Sequence, residues 1–460
     1  VKIIVSNKII IQEPDEKIKE YVEKELVILN PDYLRNERLG YSNYKTPKYL
    51  VFYEINGNEL ILPFGCLSDL FSRYPLEIFE NRIALGEPIA YKSKIKLFDY
   101  QEKVCKRALE RKNGIIVMPA GSGKTQTALE LIATLGLKTL WITHTIDLLN
   151  QSYNRAKDNF ESVGLGKIAN GKLEIGTHIT FATVQTLKSI DLQEYADTWD
   201  CILVDECHRV CGTPAKAGMF YRVINKLVAR YKYGLTATPY RNLKGTEKAM
   251  FGLLGKTIIE LEKDVIGNRI LPATIVKIDT DFFKIPEKCQ EADGTIKYTG
   301  LTTALSEDEK RNKLILSILE QSKNNYTLVL ADRVKQMNYL QSKLGYGNVI
   351  DGKTKKEVRE KRIQEVREGK EKVLFATYGL AKEGLDIPRL DRLILASPHR
   401  DKATIIQAIG RIERKFEGKK EPICYDLVDP MQYFEGMYKN RKSYYRENGN
   451  KIKELEAKGE

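Results

Sequence analysis

Apolar residues are distributed along the chain in two regimes. From about residue 89 onward, uninterrupted apolar runs of strand length alternate with longer stretches of helical period. A strand buried on both faces loses the apolar–polar alternation of a half-buried one. Such runs, separated by helices, predict parallel sheets covered by helices, an α/β architecture. The first predicted series is Gly114–Met118, Thr139–Thr143, Ile179–Thr183, Cys201–Val204 and Tyr233–Thr236; the second is Tyr326–Leu330, Lys372–Ala376 and Arg392–Ala396. Two series imply two α/β domains of similar size, 89–264 and 265–430, with Asp264–Pro272 as the junction.

Residues 1–88 follow the other regime and predict a small α+β domain. Asp15 to Leu29 has helical charge spacing, and strand-like Tyr49–Ile55 and Glu59–Leu62 flank a hairpin signal, Asn56-Gly57-Asn58. Residues 431–460 predict a charged helical tail in which Tyr433, Tyr438, Tyr444 and Tyr445 alternate with Lys439, Arg441, Lys442 and Arg446. A length of 460 residues suggests about three domains, each burying its own core.

Composition narrows the class without deciding it. No apolar run approaches the ~18 residues of a membrane span, and the N-terminal run breaks too early for a secretory signal. Seven scattered cysteines make no disulfide framework, so a reducing cytoplasmic setting is expected, with no membrane partner. The net charge of +13 favours a polyanionic partner. That excess is uneven: residues 1–88 carry 11 basic against 14 acidic side chains, and the remainder 64 against 48. Within the acidic part, Tyr33, Arg35, Arg38, Tyr41, Tyr44, Lys45 and Lys48 interleave charge with aromatic rings. This pattern suits phosphate contact with base stacking and equally suits a solvated loop over core tyrosines.

Candidate chemistry begins at Ile115–Thr125. An apolar run feeds the loop Pro119-Ala120-Gly121-Ser122-Gly123, which ends in Lys124-Thr125 and opens onto a helical stretch. Small residues let backbone N–H groups approach phosphates, Lys124 supplies charge to the β- and γ-phosphates, and the Thr125 hydroxyl can ligate Mg²⁺. The helix start adds a positive end at the same anion. Gly347–Thr354 satisfies the usual phosphate-loop expression more strictly, because Met118 replaces its first Gly. Yet Val349 and Ile350 are too stiff for a loop whose amides must converge, and Asp351 would set a carboxylate beside the phosphates. Gly352-Lys353-Thr354 is therefore read as a surface turn.

Triphosphate hydrolysis also needs a second metal ligand and a group that orients water. The run Cys201–Val204 ends in Asp205-Glu206, at the strand end where ligands gather in open α/β sheets. Asp205 can hold Mg²⁺ through water and Glu206 can take a proton from the nucleophile. His208 could instead join Cys207 and Cys211 on zinc, but no second Cys/His cluster completes four ligands.

Asp205-Glu206-Cys207-His208, together with Thr236-Ala237-Thr238-Pro239, resembles the superfamily-two helicases and translocases of the DExH type. The resemblance spans about residues 95–430 with the motifs in family order. It implies two tandem RecA-like domains and an ATP-driven motor. Leu97-Phe98-Asp99-Tyr100-Gln101 is similar to the adenine-reading motif, with Gln101 on the base. Thr143-His144-Thr145 and Ala182-Thr183-Val184-Gln185-Thr186 are similar to motifs that contact the nucleic-acid strand in the first domain, implying roles for Thr145, Thr183 and Gln185. Thr327–Arg333 and Ala376–Pro388 are similar to those of the second domain, implying nucleic-acid contact by Arg333 and Thr377 and nucleotide contact by Asp386. In the family, the residues matching His208, Thr236 and Thr238 couple nucleotide state to movement.

Gln407-Ala408-Ile409-Gly410-Arg411-Ile412-Glu413-Arg414 is similar to the final motif, which gives Gln407, Arg411 and Arg414 a catalytic role. At i and i+3, the two arginines are expected on one helix face. An Arg delivered by the second domain would neutralise charge developing on the γ-phosphoryl group, an effect worth ~10³–10⁵ in turnover. Asp-Tyr-Gln at 99–101, Asp-Glu-Cys-His at 205–208 and Leu235–Arg241 look most like XPB-type repair translocases and phage UvsW-type branch-migration helicases. The resemblance implies duplex, forked or branched DNA as partner and compatibility with a monomer. An RNA-dependent ATPase of the same architecture, or a clamp that uses ATP as a switch, are the alternatives.

Overall fold

The computed structural model describes residues 1–238, 247–290, 297–382 and 385–455. Pro239, Tyr240 and Arg241, and likewise Glu383 and Gly384, belong to the motif runs above and lie outside the described residues. The chain divides into two compact units: residues 1–119 with 123–262, and residues 263 onward with 120–122. No helix among the described residues is long and apolar enough to cross a membrane.

The first unit carries an eight-stranded sheet in the order 172–174, 165–169, 179–183, 139–143, 201–205, 231–236, 113–117, 257–260. Every neighbouring pair is parallel except the outermost, Leu165–Ala169 with Lys172–Glu174. All residues of Asn113–Val117, Thr139–Thr143, Ile179–Thr183 and Cys201–Asp205 are buried, which is why these strands read as continuous apolar runs.

The N-terminal stretch forms a separate five-stranded sheet, in the order 54–56, 59–63, 8–12, 2–5, 80–81. Helix Glu16–Leu26 covers it, capped by Asp15, whose side chain accepts from the Ile18 N–H at 2.9 Å. The helix stops at Leu26 rather than Leu29: Val27–Leu29, apolar and with β-branched Val27 and Ile28, pair antiparallel with Tyr49–Val51. The strand expected over Tyr49–Ile55 is likewise two strands, Tyr49–Val51 and Glu54–Asn56; only the second pairs with Glu59–Pro63 across the expected hairpin.

This sheet does not bury a core of its own. Ile9, Ile11, Leu62, Phe64 and Leu70 run into one apolar cluster with Ile115, Ile202, Val204 and Leu254 of the parallel sheet. Backbone closeness at the junction is extreme: a Cβ on Gly65 would collide with the carbonyls of Phe251 and Gly252. Polar contacts reinforce it, with Ser68 Oγ on Asn113 Oδ1 at 3.1 Å, Lys248 on Glu25 at 3.3 Å and Lys256 on Asp69.

The second unit has a seven-stranded, all-parallel sheet in the order 348–350, 373–376, 327–330, 392–395, 423–428, 274–279, 451–455. One expectation holds here and another changes. Asn348–Ile350 is an edge strand of this sheet, while Gly352–Thr354 is a turn: Asp351 Oδ1 accepts from the Lys353 and Thr354 N–H groups at 3.2 and 2.8 Å, so those amides face their own carboxylate. Residues 431–455 are no free tail. Helix Gln432–Glu447 packs its Phe434, Met437, Tyr438 and Tyr445 inward, and Lys451–Leu455 adds the last strand.

Candidate nucleotide and nucleic-acid sites

Three adjacent strands of the first unit, Asn113–Val117, Tyr231–Thr236 and Cys201–Asp205, end side by side. Their registers put Val117 opposite Thr236 and Leu235 opposite Asp205. Lys124, Asp205, Glu206, His208, Thr236 and Thr238 therefore gather at one sheet edge without being close in sequence.

The phosphate loop leads from Asn113–Val117 into helix Lys124–Leu135. Gly121 and Gly123 hold φ of 81° and 79°, values that L side chains rarely adopt. Gly123 has a second reason to be glycine, because a Cβ there would strike Gln101 Nε2. Ser122 is buried, Thr125 is half-buried, and the Lys124 ammonium donates to the carbonyls of Met118 and Pro119 at 3.2 and 3.3 Å. Gln101, only 1% exposed, sits on helix Asp99–Glu110, and its Oε1 accepts from the Phe98 N–H at 3.0 Å. The amide thus braces its own helix start and lies against the phosphate loop, beside the half-exposed Phe98 ring.

The two carboxylates differ sharply. Burial first, and then the adjacent Glu206 charge, push the Asp205 carboxyl well above the usual carboxylate range, although Lys124 pulls the other way. Burial would also raise Glu206, but its hydrogen bond and charge interaction with His208, aided by Lys124 and Arg209, hold it below the usual carboxylate range. His208 Nδ1 lies 3.0 Å from Glu206 Oε2 and 3.1 Å from Thr236 Oγ1; which partner receives a proton depends on the tautomer. Thr236 Oγ1 also accepts from the Thr238 N–H at 3.0 Å. A chain of contacts therefore joins Glu206, His208, Thr236 and Thr238. Glu206 itself takes φ 53° and ψ 48°, left-handed backbone that costs a non-glycine residue about 1–3 kcal/mol. A hard cation fits here: Asp205 and Thr125 offer oxygen donors, and positive charge would offset the buried pair of acids.

Arg155 and Arg209 act electrostatically on this pair and were not singled out in the sequence. Arg209 follows His208 directly, which is a usable signal. Arg155 sits on helix Ile146–Asn159, with no local pattern to mark it.

The next strands, Thr139–Thr143 and Ile179–Thr183, pair Thr143 with Thr183 and bring the expected strand-contacting residues together. His144 Nδ1 and the exposed Gln185 amide are 3.5 Å apart. Thr145 caps its helix by accepting from the Leu148 N–H, and Thr183 is buried with its hydroxyl on Thr186 at 3.0 Å. In the N-terminal stretch, Arg35, Arg38, Lys45 and Lys48 are all exposed around helix Pro31–Leu39, which buries no residue, and Tyr44 is 90% exposed.

In the second unit, Arg333 is held internally: its guanidinium donates to Thr299 O, Thr302 Oγ1 and Thr303 Oγ1 at 2.8–3.2 Å. Thr377 is half-buried just after strand Val373–Ala376, and Gln407 is half-buried on helix Lys402–Ile412. Arg411 and Arg414 do not share a helix face. The helix ends at Ile412, and Arg414 lies beyond it, bridged to Ile270 and paired with Asp386. The cause is Glu413, drawn fully inside by Lys263, the Ala273 N–H and Asn450.

Comparison with known proteins finds a family model for a part of each unit. Residues 94–241 match the family described as type III restriction enzyme, res subunit, and residues 309–415 match the helicase conserved C-terminal domain. The DNA 3'-5' translocase XPB2 of Sulfurisphaera tokodaii is 30% identical over 399 residues, covering 78% of this chain and 87% of that protein. The probable helicase D10 of Escherichia phage T5 is 24% identical, covering 97% and 95%, and the putative ATP-dependent RNA helicase L396 of Acanthamoeba polyphaga mimivirus is 25% identical, covering 94% and 82%. Among solved structures, S. cerevisiae Dbp5 bound to RNA and ADP BeF3 overlays with a TM-score of 0.56 at 17% identity, covering 79% of this chain and 90% of that one, a likeness of fold. The two parallel sheets are a tandem RecA-like pair, and the chain belongs to the superfamily-two helicases and translocases, as a nucleic-acid-dependent ATPase that uses ATP.

Proposed function

We propose that the protein is an ATP-driven DNA translocase that remodels branched or forked DNA and travels 3′ to 5′. The observation that carries DNA and direction is the 30% identity, across 87% of its length, to a protein named as a DNA 3′-5′ translocase. The branched substrate rests on the UvsW-type resemblance of the Asp-Glu-Cys-His and Leu235–Arg241 segments.

In this reading the amides around Gly121, Ser122 and Gly123 cradle the phosphates and Lys124 neutralises them. Thr125 and Asp205 would hold Mg²⁺, which would supply positive charge against the phosphates. Glu206, kept ionised by His208, takes the proton of the attacking water. His208 and Thr236 pass the nucleotide state to Thr238 and the segment after it. Gln101 acts on the base of that nucleotide, and the family resemblance assigns Gln407, Arg411, Arg414 and Asp386 of the second unit to nucleotide contact. Thr145, Thr183, Gln185 and Thr377 follow the nucleic-acid backbone, with Arg35, Arg38, Lys45 and Lys48 gripping the flanking duplex. Arg333 is a weaker member, since its donors are already engaged.

An RNA-dependent ATPase is the second reading, favoured by the viral relative named as an RNA helicase. Steady-state ATPase rates with forked DNA, linear duplex, single strands and RNA separate the two. The reading expects forked DNA to stimulate most, and RNA as the strongest activator would overturn it.

A further inference from the structure

Between the N-terminal sheet and the first parallel sheet, both in the first unit, opens a cleft of about 640 Å³. One wall carries Asn7, Lys8 and Glu54; the other carries Lys188, Arg222 and Lys226. The acid is already matched, since Lys8 Nζ holds Glu54 Oε1 at 2.8 Å. The three cations of the opposite wall are exposed and have no ion-pair partner among the described residues; Arg222 spends only its Nε, on Ala217 O at 2.9 Å. Asn7 Nδ2 donates to Asn225 O and ties the two walls together. Like charges converging on one concavity repel each other, and an anion relieves that repulsion.

We infer that this cleft is a nucleic-acid backbone site, in which Lys188, Arg222 and Lys226 neutralise phosphodiester groups against the floor made by Asn7 and Asn225. The inference rests on the motor reading and extends its track. Lys188 ends the same short helix, Val184–Ser189, whose Gln185 lies beside His144, so the cleft continues from the strand-contacting motifs toward the N-terminal sheet. It also resolves a mismatch of charge. Residues 1–88 are net acidic, so their sheet is a poor polyanion binder alone, but beside these three cations it becomes one wall of a cationic groove.

The test is the salt dependence of binding to a fluorescein-labelled forked duplex, read as log Kobs against log salt concentration. Each phosphate contact contributes about 0.9 to the slope on B-form DNA. Lys188→Ala and Lys226→Ala should each flatten it by about 0.9, and the triple variant with Arg222→Ala by about 2.7, with melting temperatures unchanged. Lys188→Arg and Lys226→Arg should keep the wild-type slope. A triple variant with the wild-type slope overturns the cleft while leaving the motor reading intact. A wild-type protein that binds no nucleic acid overturns the motor reading itself.

Discussion

Lys232 lies on an inner strand of the first sheet with its ammonium out of water. Its Nζ donates to Leu227 O at 2.9 Å and sits 4.5 Å from the centre of the Phe64 ring. Burial pushes this amine down to about 7 from an ordinary value of 10.5. Between those values the unfolded chain binds a proton that the folded chain does not, so this group makes stability rise with pH across that window. Below pH 7 both states are protonated and the full penalty applies. Lys232→Met should therefore stabilise the protein, relative to wild type, by a margin larger at pH 7 than at pH 10, with the pH-dependent part on the order of a few kcal/mol. Urea unfolding at the two pH values measures it, and equal margins would contradict the argument. Glu206 presents the opposite case: it stays ionised in a buried place because His208 stands beside it, which is the state a base for water requires. Both carboxylates can be identified from the order of residues alone. Their opposite shifts cannot, since they arise from burial in the folded sheet and from where His208 and Lys124 are placed.

Elements were legible in proportion to how completely they are buried. Thr139–Thr143 and Ile179–Thr183 have the limits expected of them, because a strand covered on both faces is a closed apolar run and its ends are marked by polarity. Where burial is one-sided the limits slip: Val27–Leu29 suits a helix end and a strand equally, and tertiary pairing decides. Charged helices mislead most. Arg441 and Tyr445 belong to the stretch expected as a charged helical tail, yet both are buried on Asp426, the guanidinium at 2.8 and 2.9 Å and the phenol at 2.7 Å. The pattern of charges on a helix does not reveal a buried acid on a strand facing it. Leaving that acid unpaired should be severe. Arg441→Ala is expected to lower unfolding stability by about 3–5 kcal/mol in denaturant titration. A loss under 1 kcal/mol would mean that Gln432–Glu447 is not held to the sheet by this pair.

For the whole molecule, the acidic N-terminal stretch and the basic remainder are one physical problem. The N-terminal sheet shares its core with the first RecA-like unit, so any movement of that unit along a track carries the sheet with it. The order of motifs along the chain made the paired RecA-like architecture readable in advance. The fused core was not readable, because Gly65, Phe64 and Lys232 signal closeness only once their partners are known. In the proposed function ATP hydrolysis moves this body along DNA, and displacement of a triplex-forming strand from a duplex measures that movement. Wild-type protein with ATP should release the third strand at a rate that falls to background in Glu206→Gln, while that variant still binds the duplex. ATP hydrolysis stimulated by DNA with no release of the third strand would contradict translocation and leave an ATP-switched clamp.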